Sequence, residues 1–147
     1  MDAAVTEGIL LELLERQNAD WTRESGYIRF LVRRNGLCWE TDCLCTSREI
    51  LVYGRYPFSL KNRGAALTVC NRANLRMVRG ALLLPEDGRP VCRTAAAMND
   101  IYDASFRLRE ALDDNNSAIV RWWGRLEALM GPAGAQKTVS YALNATQ

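Results

Sequence analysis

Five cysteines, two pairs of adjacent carboxylates and a set of arginines are the residues whose types and spacing could do chemistry, and histidine is absent. A chain without histidine has no Ser-His or Cys-His nucleophile pair, no imidazole metal ligand and no histidine general base. Cys38, Cys43 and Cys45 cluster in sequence. On a strand over residues 37–46, side-chain alternation puts Cys43 and Cys45 on one face and Cys38 on the other. There is no Cys-x-x-Cys, and nothing completes a tetrahedral zinc set. Cys70 falls on the apolar face of an expected helix. All five cysteines therefore read as packing residues, and no metal or cofactor is expected. An odd cysteine count also suits a reducing compartment better than a disulfide framework. Glu86-Asp87 and Asp113-Asp114 read as turns, where solvation keeps a carboxylate from acquiring the raised pKa of a general acid. No glycine-rich phosphate loop is present. The expectation is a protein without catalytic activity.

Arg29, Arg33, Arg34, Arg55, Arg79 and Arg93 form the most informative set. Alternation over residues 27–33 puts Ile28, Phe30 and Val32 on one strand face and Tyr27, Arg29, Leu31 and Arg33 on the other. A face of that composition suits an acidic peptide or a nucleic-acid backbone. Equally, it can be a solvated outer face paired with Glu40 and Asp42 on the neighbouring strand. Nineteen Lys and Arg against seventeen Asp and Glu leave a net charge of only +2, which argues against a dedicated nucleic-acid binder. Tyr27, Arg29, Leu31, Arg33 and Tyr53 are the candidate partner-binding residues on the sheet. Tyr102 and Phe106 are a second candidate, four residues apart on a helix and off its apolar stripe. Trp122 and Trp123 sit within an apolar stripe and read as core anchors.

The elements that must position these groups follow from period and turn signals. The 147 residues make one domain over 1–131 and a loose tail over 132–147, in which Val139, Tyr141 and Leu143 alternate as a docked strand would. A first helix spans residues 3–17. Strands over 27–33, 37–46 and 50–56 follow, with Asn35-Gly36 as a type I′ hairpin turn and Pro57 as the stop. Ser59 caps a second helix over residues 60–74. A hairpin of strands over 78–84 and 90–96 turns at Pro85-Glu86-Asp87-Gly88. Asn99-Asp100 caps a third helix with Ile101, Ala104, Ser105, Leu108 and Leu112 inward. Asp113-Asp114-Asn115-Asn116 breaks it, and Ser117 opens a fourth. The expected fold is α+β in the order α-βββ-α-ββ-αα: an antiparallel sheet of about five strands with helices mainly on one face. No apolar run approaches the ~18 residues that span a bilayer. Asp2 and Glu7 precede Ile9-Leu10-Leu11 where a secretory leader would be basic, so a cytoplasmic location is expected.

Tyr56-Pro57 precedes a helix ending Cys70-Asn71-Arg72-Ala73-Asn74. A strand with a central Gly80, the acidic turn Glu86-Asp87-Gly88, a second strand and two amphipathic helices follow. In this order of pieces most of the chain, and residues 56–130 most clearly, resembles the YbjN-like family of bacterial sensory-transduction regulators, which shares the fold of type III secretion chaperones. Asn74 matches the asparagine that closes the family's helix, and Asp87-Gly88 matches its acidic hairpin turn. The resemblance implies a single α+β domain that acts by binding a protein partner or a second copy of itself, often as a dimer, chaperone-like or regulatory, with no catalytic residues. Two departures stand against a chaperone: secretion chaperones are usually acidic, whereas this chain has a pI near 8.3, and its first sheet is rich in arginine. The alternatives are an arginine-based binder of nucleic acid or an acidic ligand, and an enzyme of unrecognised type.

Overall fold

The computed structural model describes residues 1–131. The fold is α+β: three helices cover one face of a six-stranded antiparallel sheet. Asp2 caps α1 (Ala3–Arg16) by accepting the Val5 N–H at 2.8 Å, and Asn18 ends it with a left-handed φ of 52°. β1 (Trp21–Glu24), β2 (Tyr27–Arg34), β3 (Leu37–Cys45) and β4 (Glu49–Arg55) form a meander. α2 (Arg63–Arg76) then crosses to β5 (Ala81–Leu83) at the far edge. The chain returns through β6 (Val91–Ala97), which lies between β5 and β4. α3 (Ala104–Glu127) crosses the covered face and ends in a 3-10 turn, Ala128–Met130. Residues 132–147, including the expected tail and its Val139–Leu143 alternation, lie outside the described residues.

Several expectations are corrected. A sixth strand, β1, pairs with β2 through a Ser25-Gly26 turn whose residues both have positive φ. Three of its four residues are exposed, so it carries no apolar alternation to betray it. The cap of α2 is Asn62, accepting the Ala65 N–H at 3.1 Å, and not Ser59. The Leu60 N–H is bound to the Gly88 carbonyl at 2.8 Å, which keeps the chain extended there and delays the helix. Gly80, with φ of 86°, precedes β5 instead of lying central to it, so that strand is shorter than residues 78–84.

The third and fourth expected helices are one helix of 24 residues. Asp113 and Asp114 are therefore not turn residues. Asp113 pairs with Arg34 at 2.9 Å and Asp114 with Arg79 at 3.0 Å, so tertiary partners absorb the polarity that reads as a break. Asn115 turns inward and is fully buried. Its Nδ2 donates to the Cys92 carbonyl at 2.8 Å and the Val52 carbonyl at 3.2 Å, and lies 3.3 Å from Thr94 Oγ1. Thr94 donates in turn to the Ala111 carbonyl at 2.8 Å. Gly54 makes room for this: a Cβ there would sit 2.4 Å from Asn115 Oδ1 and 2.3 Å from Ile119 Cδ1. Asp100 accepts the Tyr102 N–H in a turn before α3, and Ile101 and Ser105, expected inside, are exposed.

This polar seam lies between two apolar clusters. One gathers Trp39, Tyr56, Phe58, Trp122 and Trp123 with α2's Ala66, Cys70 and Ala73; the other joins α1's Leu10 and Leu14 to Ile28, Phe30, Val52 and Leu108. Trp122 and Trp123 are core anchors. Trp123 stacks obliquely on Tyr56 at 5.4 Å and Trp39 at 6.1 Å.

Candidate functional site on the open sheet face

The outer face of the sheet carries no helix among the described residues, and strand register assembles its side chains into rows. Across β2, β3 and β4, Leu31 lies beside Glu40 and Glu40 beside Arg55; one step along, Arg29 lies beside Asp42 and Asp42 beside Tyr53. Four of the expected residues, Tyr27, Arg29, Leu31 and Arg33, project from β2 on this face, and Tyr53 joins them from β4. Tyr27 and Tyr53 meet edge to face, ring centroids 6.2 Å apart. Leu31 is 47% exposed, and Arg33 packs beside Cys38, its register partner.

Asp42 is the electrostatic centre of the face. Although it lies on the uncovered side, it is only 1% exposed. It accepts Arg29 Nε at 2.8 Å and Nη2 at 3.2 Å, and Arg55 Nη2 lies at 3.1 Å. Arg29 also meets Glu24, and its Nε lies 3.6 Å from Glu40. The hydrogen bond to Asp42, reinforced by the other carboxylates, holds the Arg29 guanidinium above its ordinary pKa. Much of the charge on this face is thus satisfied internally. The arginine set is also divided, because Arg34 and Arg79 reach α3 from the covered side. Arg93 stays exposed, with no carboxylate partner among the described residues.

Tyr102 and Phe106 lie elsewhere, at the start of α3, 95% and 61% exposed. The structure therefore does not bring them together with the sheet residues. Beside the tyrosines is a feature with no counterpart in the sequence reading, a cavity of about 330 Å³ lined by Tyr27, Tyr53 and Arg55 together with Asp87, Arg89 and Val91. The Pro85–Gly88 turn reads in sequence only as a hairpin reversal. Its role as a wall depends on β6 lying next to β4, an order that local patterns do not encode. A larger cleft of about 580 Å³ runs between α1, β2 and α3.

Cys43 and Cys45 face the covered side and Cys38 the outer side, as alternation requires. Burial raises each thiol's pKa, to about 11 for Cys45 and about 12 for Cys92. Such thiols are poor nucleophiles. No group of three potential metal ligands is clustered among the described residues, and no helix there is long and apolar enough to cross a membrane. The chain matches no protein-family model, and no curated protein or solved structure is significantly similar to it.

Proposed function

We propose that this chain is a non-catalytic protein-binding module, chaperone-like or regulatory, of the YbjN-like and type III secretion chaperone-like class, acting in the cytoplasm. The observation that carries the proposal is the uncovered sheet face, where paired tyrosines and exposed Leu31 surround an ordered Arg29–Asp42–Arg55 network. Tyrosine and arginine around an aliphatic residue is the composition that enriches interface hot spots. Because the charges are already oriented, a partner docking here orders few side chains. The nucleic-acid reading has less support, since Arg29, Arg34, Arg55 and Arg79 each already engage a carboxylate.

The partner is a second copy of the chain or another protein. A stable homodimer needs about 1,000 Å² of total buried surface and a self-complementary patch. Light scattering at micromolar concentration should give a dimer that Tyr27→Glu and Leu31→Glu convert to monomer, with Phe106→Glu as the comparison at the helical flank. A monomer throughout, with no partner captured, removes the proposal. Retention on a polyanion column that weakens steeply with salt would favour the nucleic-acid reading instead.

A further inference from the structure

We infer that the cavity between β4 and the β5–β6 turn is a recognition pocket for a carboxylate borne on an apolar or aromatic body. The inference rests on the same reading of the outer face as the working surface, and adds the chemistry of the group it takes. Both arginines in the wall are anchored at one point and keep donors in reserve. Arg55 is tied through Nη2 to Asp42, which leaves its Nη1 without an acceptor among the described residues, while its Nε is buried out of a ligand's reach. Arg89 is tied through Nε to the Tyr56 carbonyl at 3.0 Å, which leaves its two Nη groups without an acceptor there. Guanidinium forks are matched to planar carboxylates.

The rest of the wall selects the body and the charge. The Tyr27 and Tyr53 rings and the Val91 side chain offer an apolar surface, and about 330 Å³ falls at the small end of ligand-sized cavities. Asp87 lies in the same wall and Arg55 is already paired with Asp42, so Arg89 carries the positive charge left for a ligand, and the wall disfavours a phosphate dianion more than a carboxylate. The wall is also held before any ligand arrives. Arg63, the first residue of α2, donates to the Leu84 and Pro85 carbonyls at 2.8 and 2.9 Å, and Leu60 clasps Gly88. Preorganisation of this kind favours binding by a small group. The carboxylate comes either from an acidic side chain on a partner chain or from a free small acid.

The test is an NMR titration of the full chain with 3-phenylpropionate, its neutral amide, inorganic phosphate and a blocked peptide carrying a Glu-Phe pair. The expected result is saturable shifts at the Tyr27 and Tyr53 rings and the Arg89 guanidinium with the acid and the peptide, and none with the amide. Whichever of those two binds tighter identifies the source. Arg55→Gln and Arg89→Gln should each weaken binding about tenfold, the usual worth of a charged hydrogen bond. Asp87→Asn keeps its acceptor for the Arg89 backbone N–H and should tighten binding. If Arg55→Gln unfolds, Arg89→Gln and Asp87→Asn decide. Equal binding of acid and amide, preference for phosphate, or indifference to all folded variants overturns the inference. A chain that dimerises through Tyr27 and Leu31 yet ignores 3-phenylpropionate loses only the pocket. A monomer that binds 3-phenylpropionate and captures no protein loses only the docking role.

Discussion

Gly54 and Asn115 should be energetically coupled, and a double-mutant cycle measures by how much. Asn115→Ala removes the Nδ2 hydrogen bonds to two carbonyls and the contact with Thr94 in a site closed to water, which should cost about 3 kcal/mol with the void included. Gly54→Ala drives a methyl group to 2.4 Å from Asn115 Oδ1 and 2.3 Å from Ile119 Cδ1, an overpacking expected to cost about 2 kcal/mol. In the double variant the new methyl enters space vacated by the amide, and only the Ile119 terminus must rotate away. The pair should then cost about 3.5 kcal/mol instead of the additive value of about 5. Urea denaturation followed by tryptophan emission reads this directly, because Trp39, Trp122 and Trp123 report on the adjoining cluster. Additivity within about 0.5 kcal/mol, or an Asn115→Ala cost below that figure, would refute the reasoning.

Asn74→Ala should lower the urea-derived stability by about 1 kcal/mol, since it frees both backbone groups of Leu82, which Asn74 now holds at 2.7 and 3.0 Å. Asp42→Asn should cost about 2 kcal/mol in the same assay, less than a fully buried pair because Arg29 and Arg55 keep about a third of their side chains in water. The raised thiols predict a loss of stability at alkaline pH. Unfolded cysteines begin to ionise near their ordinary value of 9.0, while folded Cys45 and Cys92 hold their protons to about 11 and about 12. The stability they contribute is therefore intact below pH 9 and drains away as pH rises through that window. Urea midpoints at successive pH values, with Cys92→Ala shallower than the parent, check it.

The sequence discloses what strong periodicity and turn chemistry control. Asn35-Gly36 does make the hairpin, alternation does divide the cysteines and the β2 arginines between faces, and Asn74 does bind the backbone of the following strand. What escapes it depends on partners distant in sequence. Asp113 through Asn116 look like a helix break because the helix interior disfavours them, and only Arg34, Arg79 and the sheet backbone make their polarity an asset. The Ser25-Gly26 dipeptide was the available signal for β1, muted by a strand with almost no buried side. Of the candidate site, the tyrosines and arginines were legible through alternation. The cavity was not, because it is closed by a turn brought next to β4 by strand order.

The two ends of the sheet are unequal, and that limits how copies can assemble. In a three-residue strand such as β5 only the middle residue turns its backbone away from its neighbour, and both of those groups on Leu82 are taken by Asn74. β1 has no such clasp among the described residues. Growth of an open filament needs two complementary free edges, one on each side of every copy. Asn74 closes that edge along β5, whereas pairing of β1 with β1 across a two-fold axis meets no such clasp and ends after a single addition. A lone asparagine thus biases strand pairing between copies toward β1.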